Sequence, residues 1–131
     1  MGMDVIGRNS TATQGEYFRA SIWQWPLLVK VITTLCPQET SVCKHWEFND
    51  GDGLNNAQAL ALAEALERKL GSGEVAAALC DPAIVSITEP PIAAWFRSQG
   101  FDMLHEDPVI DEHYVAKFAA FVRASGGFAI W

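Results

Sequence analysis

The sequence has no long apolar run, and this shortage excludes a class of protein. The longest apolar-rich stretch, 27–35, contains Lys30 and two threonines. It falls well short of the roughly 20 apolar residues that a membrane-spanning helix needs. The first residues carry Asp4 and lack the charged and then apolar pattern of a secretory signal. We therefore expect a protein of the cytoplasm.

Cysteine is scarce as well, with Cys36, Cys43 and Cys80 as the complete set. An odd and sparse set does not predict the disulfide framework of a small secreted domain. Together with His45, these residues have the composition of a Cys₃His zinc site, although structural zinc sites normally use closely spaced pairs of ligands. Reduced and buried thiols are the favoured interpretation, and the zinc set is the alternative.

Basic residues are too few to neutralise the acidic ones, and the net charge is −7. Residues 1–48 hold four acids and four bases, whereas residues 49–131 hold twelve acids and five bases. Proteins that bind nucleic acid concentrate Lys and Arg against the phosphates, and anionic membranes attract the same residues. We therefore expect no nucleic acid and no membrane as partner. A basic protein is the partner that this charge favours.

Half of the residues are hydrophobic, and 131 residues are enough for one packed core. We predict a single α+β domain over 1–131, mainly helical, with a few short strands. The first and last strands can pair and bring the ends of the domain together. The strands are predicted near residues 4–6, 42–48 and 128–131. Helices are predicted at 26–35, 55–70, 74–80, 92–99 and 111–125.

The helix that begins near Asn55 has the clearest pattern. Gln58 follows three residues later, as in a capping box, and Gly71 is a typical helix end. Other segments are ambiguous: 16–25 has no decisive periodicity, and 83–88 fits either a buried strand or a short helical piece.

The segment 49–53, Asn-Asp-Gly-Asp-Gly, is the most distinctive motif. Two successive Asp-Gly pairs favour a sharp reversal of the chain, and the side-chain oxygens suit Ca²⁺ or Mg²⁺. The EF-hand spacing would place Phe48 first and Ala59 twelfth, and neither can be a ligand. A turn between a strand and a helix is therefore favoured, with a metal site on Asp50 and Asp52 as the alternative.

A second group of polar residues, Glu16, Tyr17 and Arg19, lies within four positions. These side chains can bind a polar ligand, or they can pair with one another beneath an aromatic layer. Trp23 is one of five tryptophans, which pack cores and also line pockets. The candidate ligand-binding residues are therefore Glu16, Tyr17, Arg19, Trp23, Asn49, Asp50 and Asp52.

No phosphate-binding glycine loop, nucleophile elbow or Cys-His catalytic signature occurs in the sequence, and we expect no cofactor. A binding or interaction module without catalytic activity is the first hypothesis. The second is a metal- or ligand-dependent enzyme, such as a hydrolase, built on residues 49–52. The third is an acidic inhibitor or nucleic-acid mimic, for which the carboxylates between 102 and 112 are the support.

Several motifs together resemble a group of small bacterial and phage proteins that have no assigned activity. The motifs are Gly15–Arg19 (GEYFR), Trp23–Leu27 (WQWPL), residues 49–54 (NDGDGL) and the FxxFxxxSGGF pattern from Phe118 to Phe128. The similarity covers residues 4–70 and 114–131, so we interpret 75–110 as a variable insert. The resemblance implies one domain of shared architecture, and it transfers no catalytic residue.

Overall fold

The computed structural model describes residues 2–48, 50–84, 99–100 and 110–131. The strands in these ranges are β1 (Gly2–Gly7), β2 (Tyr17–Ser21), β3 (Gly53–Asn55) and β4 (Gly127–Ile130). The helices are α1 (Gln24–Leu35), α2 (Pro37–Thr40), α3 (Asn56–Gly71), α4 (Glu74–Leu79) and α5 (Glu112–Ala124). A 3-10 turn covers Thr13–Gly15. The fold is α+β, as the sequence predicts.

The strands form one antiparallel sheet in the order β2-β1-β4-β3. β1 is an inner strand, in which Val5 pairs with Phe18 of β2 on one side and with Ile130 of β4 on the other. The predicted pairing of the first and last strands is therefore confirmed. It places both strands in the middle of the sheet rather than at an edge.

Helices cover one face of the sheet. Side chains alternate between the two faces along a strand, and Val5 and Phe18 point towards the helices and are buried. The ring centroids of Phe18 and Phe118 of α5 lie 5.1 Å apart, and those of Phe121 and Phe128 lie 5.9 Å apart. These spacings are typical of packed aromatic pairs. The core thus lies on this one side of the sheet.

Trp25 and Trp46 belong to the same core. The Trp25 indole N–H donates to the Trp46 carbonyl, and the Trp46 indole N–H donates to the Thr40 carbonyl at 3.0 Å. A buried indole N–H requires a hydrogen-bond partner, and these two bonds attach the loop around Trp46 to α1 and α2. Core packing, rather than a pocket, is the role of these two tryptophans.

α3 begins as the sequence predicts. The Gln58 backbone N–H donates to Asn55 Oδ1, and the Asn55 backbone N–H donates to Gln58 Oε1, both at 2.9 Å. This is a complete capping box.

Farther along α3, Glu67 accepts two hydrogen bonds of 2.6 Å from the guanidinium of Arg123, which joins α3 to α5.

The predicted strand at 42–48 is wrong, since these residues form turns and irregular chain. The backbone N–H groups of Lys44 and His45 donate to the Asp52 carboxylate, so they are not available for a strand ladder. Trp46 is turned into the core by its bond to α2. The strand that pairs with β4 comes later, at Gly53–Asn55, with Leu54 opposite Phe128.

The other predicted helices agree closely with α1, α4 and α5. The predicted helix at 92–99 lies almost wholly outside the described residues, as do 85–88 of the ambiguous segment 83–88 and most carboxylates of 102–112. The insert at 75–110 stays a prediction, although Val75 at its start is buried in the core. Within the described ranges, no helix is long and apolar enough to cross a membrane.

Candidate functional site

The Asp52 carboxylate holds two loops together. Its Oδ2 accepts hydrogen bonds from the backbone N–H groups of Lys44 at 3.2 Å and His45 at 3.1 Å, and its Oδ1 accepts one from Gly53 N–H at 2.9 Å. These N–H groups, that of Gly53 first, stabilise the ionised form and lower the pKa of Asp52. Both oxygens of this candidate ligand therefore serve the turn itself.

Asp50 is engaged in a similar way. Its Oδ1 accepts the Asp52 backbone N–H at 3.2 Å, and its Oδ2 lies 2.7 Å from His45 Nδ1. Between the two acids, Gly51 has a φ of +88°, and a Cβ at this position would lie 2.7 Å from the ring of Trp131. The turn therefore requires glycine at position 51, and the Trp131 ring packs against this glycine. Asn49 lies outside the described residues.

Tyr17 and Arg19 lie on β2 and point away from the helices. Asp4 pairs with Arg19 across β1 and β2, and the Tyr17 hydroxyl donates to Asp4 Oδ1. Arg19 Nε lies 3.8 Å from the same oxygen. The hydrogen bond to Asp4 raises the pKa of Tyr17. Glu16 is exposed and contributes its backbone carbonyl to Gly7 N–H at 3.0 Å.

The sequence did not indicate Asp4, Ile6 or Trp131 as site residues. Ile6 pairs with Tyr17, and Trp131 lies beside Asp4 because its backbone N–H donates to the Asp4 carbonyl at 2.6 Å. Only the strand register brings these residues together. The pattern that could have revealed them is the alternation along β1, where the two exposed-side residues, Asp4 and Ile6, flank the buried Val5.

We call this surface the open face and define it by Asp4, Ile6, Tyr17, Arg19 and Trp131. Its three large apolar side chains are well exposed: Ile6 at 42%, Tyr17 at 50% and Trp131 at 53%. Both sequence motifs therefore border the open face. The 15–19 motif supplies Tyr17 and Arg19 on one side of it. The 49–53 motif supplies Gly51, on which the Trp131 ring packs, on the other side.

The remaining candidates lie elsewhere. Trp23 precedes α1 as its N-cap residue and is half-buried. Cys36 and Cys43 are buried, which raises the pKa of Cys36 to about 11 and that of Cys43 to about 12, whereas Cys80 is exposed at the end of α4. Among the described residues, no group of three or more His, Cys, Asp or Glu side chains is placed to hold a metal ion.

Comparisons with protein-family models, curated proteins and solved structures found no significant match. The resemblance to small bacterial and phage proteins therefore stays a prediction, and the site is interpreted from its own geometry.

Proposed function

We propose that this domain is a cytoplasmic binding module without catalytic activity, and that it docks a basic protein partner on the open face. The observation that carries the proposal is the joint exposure of Ile6, Tyr17 and Trp131 on one side of a sheet. Large apolar side chains exposed on one surface are characteristic of interaction sites. Trp, Tyr and Arg are also the residue types that contribute most binding energy at protein interfaces.

The open face is held in place before any partner arrives. β1 is paired on both sides, so the backbones of Asp4 and Ile6 are fixed by neighbouring strands. The hydroxyl of Tyr17 is bonded to Asp4, and the ring of Trp131 packs on Gly51. A preorganised surface loses less conformational entropy on binding than a flexible one. The arrangement therefore supports recognition by a rigid surface.

The charge of the chain supports a basic partner. A net charge of −7 on 131 residues attracts cationic proteins over long range and accelerates their encounter. On the open face, the Asp4 side chain is 39% exposed and accepts the hydrogen bond of the Tyr17 hydroxyl. A lysine or arginine of the partner can approach both, the ring through a cation–π contact.

The enzyme hypothesis has less support in the described contacts. It requires Asp50 and Asp52 to present oxygens to a ligand, whereas their carboxylates accept hydrogen bonds from the turn and its neighbouring loop. Tyr17 and Arg19 interact with Asp4 rather than with these acids.

A random-peptide library selected on the immobilised protein tests the proposal. We expect the selected peptides to carry a net positive charge. We expect the double variant Tyr17→Ala, Trp131→Ala to bind them at least about tenfold more weakly, since two central aromatic residues are removed. Phe48→Ala is the matched control, because Phe48 is 62% exposed but lies on a loop outside the sheet.

Neutral or acidic peptides would contradict the proposed partner. Equal binding by the wild type and the double variant would contradict the open face as the site. An equal loss in Phe48→Ala would show that the sheet is not the part of the surface that matters.

A further inference from the structure

We propose that the partner adds a short extended basic segment to the sheet as a new strand alongside β2. This inference rests on the function proposed above and names the binding mode. β2 is the outermost strand on its side of the sheet that the described residues form. An outermost strand presents backbone groups that can pair with a further strand.

The alternation of hydrogen-bonded pairs along β2 shows which of its backbone N–H and C=O groups point away from β1. Gly7 N–H donates to the Glu16 carbonyl, so the 7–16 pair is a hydrogen-bonded pair of the antiparallel ladder. Bonded and non-bonded pairs alternate along such a ladder. With the register Val5↔Phe18, the backbone groups of Phe18 therefore point towards β1. Those of Tyr17 and Arg19 point away from β1, towards the free edge.

The hydrogen bonds between β1 and β4 agree with this alternation. The Trp131 N–H donates to the Asp4 carbonyl and the Arg8 N–H donates to the Gly127 carbonyl. The backbone groups of the even-numbered residues of β1 therefore point towards β4. Those of the odd-numbered residues, Val5 and Gly7 among them, point towards β2. At the far end of β2, Ser21 N–H donates to Gln24 Oε1 at 3.4 Å, which closes the edge at that point. With respect to the described residues, the available edge thus consists of the N–H and C=O groups of Tyr17 and Arg19.

Three features that often protect an edge strand, namely proline, lysine and a β-bulge, are missing from β2. Residues 17–21 contain no proline and no lysine, and their register with β1 runs without a bulge from Ile6↔Tyr17 to Gly2↔Ser21. The one charged side chain, Arg19, lies on the open face near Asp4 rather than across the edge. β2 is therefore suited to pairing.

The net charge of the whole chain favours a basic segment over a second copy as the occupant. A second copy of the chain would bring two net charges of −7 together, whereas a basic segment is attracted. In an added strand, the residues opposite Tyr17 and Arg19 would place their side chains on the open face. A lysine or arginine opposite Tyr17 would contact its ring and approach Asp4. The alternate residues would lie beside Phe18, on the side of the helices.

The test compares Arg19→Pro with Arg19→Ala, using basic peptides selected from the random library as the probe. Both variants lose the guanidinium, but only proline removes the outward N–H. Proline is tolerated on an edge strand when its missing N–H faces outwards, and melting temperatures check that the fold is kept. We expect Arg19→Pro to bind the peptides at least about tenfold more weakly than Arg19→Ala, since a lost backbone bond also leaves the peptide carbonyl unpaired.

N-methylation of each peptide residue in turn provides a second measurement that does not depend on the variant folding. We expect binding to be lost at every second position, because only alternate N–H groups of an added strand face β2. Equal binding by the two Arg19 variants, or a scan without alternation, would overturn strand addition. If the double variant Tyr17→Ala, Trp131→Ala still weakened binding in that case, the proposed function would stand without strand addition.

A protein that is dimeric without peptide, and that becomes monomeric with Arg19→Pro but not with Arg19→Ala, would show a second copy at this edge. That result would overturn the basic segment as occupant.

Discussion

Replacement of Asp52 by asparagine removes the charge that holds the 44–45 loop to the start of β3. Asp52 accepts three backbone N–H bonds, two through Oδ2 and one through Oδ1. Asparagine keeps one carbonyl oxygen, so at least one of these donors loses its partner or exchanges it for water. Hydrogen bonds to a charged acceptor contribute about 1.5–3 kcal/mol each. Since this site is partly exposed, we expect a total loss of about 1–2 kcal/mol in the free energy of unfolding.

The pH dependence identifies the charge as the cause. The pKa of Asp52 is lowered in the folded protein, chiefly by the N–H of Gly53. Its stabilisation is therefore fully present above the unfolded pKa of about 3.9 and is lost as the pH falls through the folded pKa. Urea unfolding at pH 7 and at about pH 3 should show a difference between wild type and Asp52→Asn that shrinks in acid.

Glu47→Gln is the matched control, because Glu47 is an exposed acid on the same loop and its side chain forms no hydrogen bond or ion pair with the described residues. We expect its unfolding curve to match that of the wild type at both pH values. A wild-type curve for Asp52→Asn at pH 7, or a difference that persists unchanged in acid, would refute the assignment of Asp52 as an ionic link between the loops.

Three further substitutions test other parts of the structure. Gly51→Ala should destabilise the fold by about 1–3 kcal/mol, through the positive φ and the contact with Trp131, and should change tryptophan fluorescence. Asn55→Ala should lower the free energy of unfolding by about 1 kcal/mol in urea titrations, since it breaks the capping box. Arg123→Ala should lower the melting temperature less at high than at low salt, because its pair with Glu67 is about half exposed.

Local signals in the sequence were sufficient for α1, α3, α4 and α5 and for the first and last strands, whereas α2 was not predicted. The capping box at Asn55 and Gln58 depends on residues three positions apart, and the structure contains it. β4 and its pairing with β1 were likewise predictable, because both are short apolar runs bounded by glycines or polar residues.

The middle of the chain was not predictable in the same way. Residues 42–48 alternate only loosely between polar and apolar. Two of their backbone N–H groups bond to Asp52, and the Trp46 side chain turns into the core. A side chain several positions away thus replaced the ladder, and no local pattern reveals such a bond. β2 was missed because its alternation spans only five residues, too few to stand out from the segment around it.

The open face depends on strand order, which the sequence does not state. Tyr17 and Arg19 were recognised as candidates, but their neighbours Asp4 and Trp131 come from positions at opposite ends of the printed sequence. They become neighbours because β1 lies between β2 and β4. Only a correct sheet order would have placed these side chains together.

Amide chemical-shift mapping with a selected basic peptide tests the proposed function most directly. We expect the largest shifts at Asp4, Ile6, Tyr17, Arg19 and the indole N–H of Trp131. Shifts centred on the exposed sides of α3 and α5, with the open face unchanged, would contradict it.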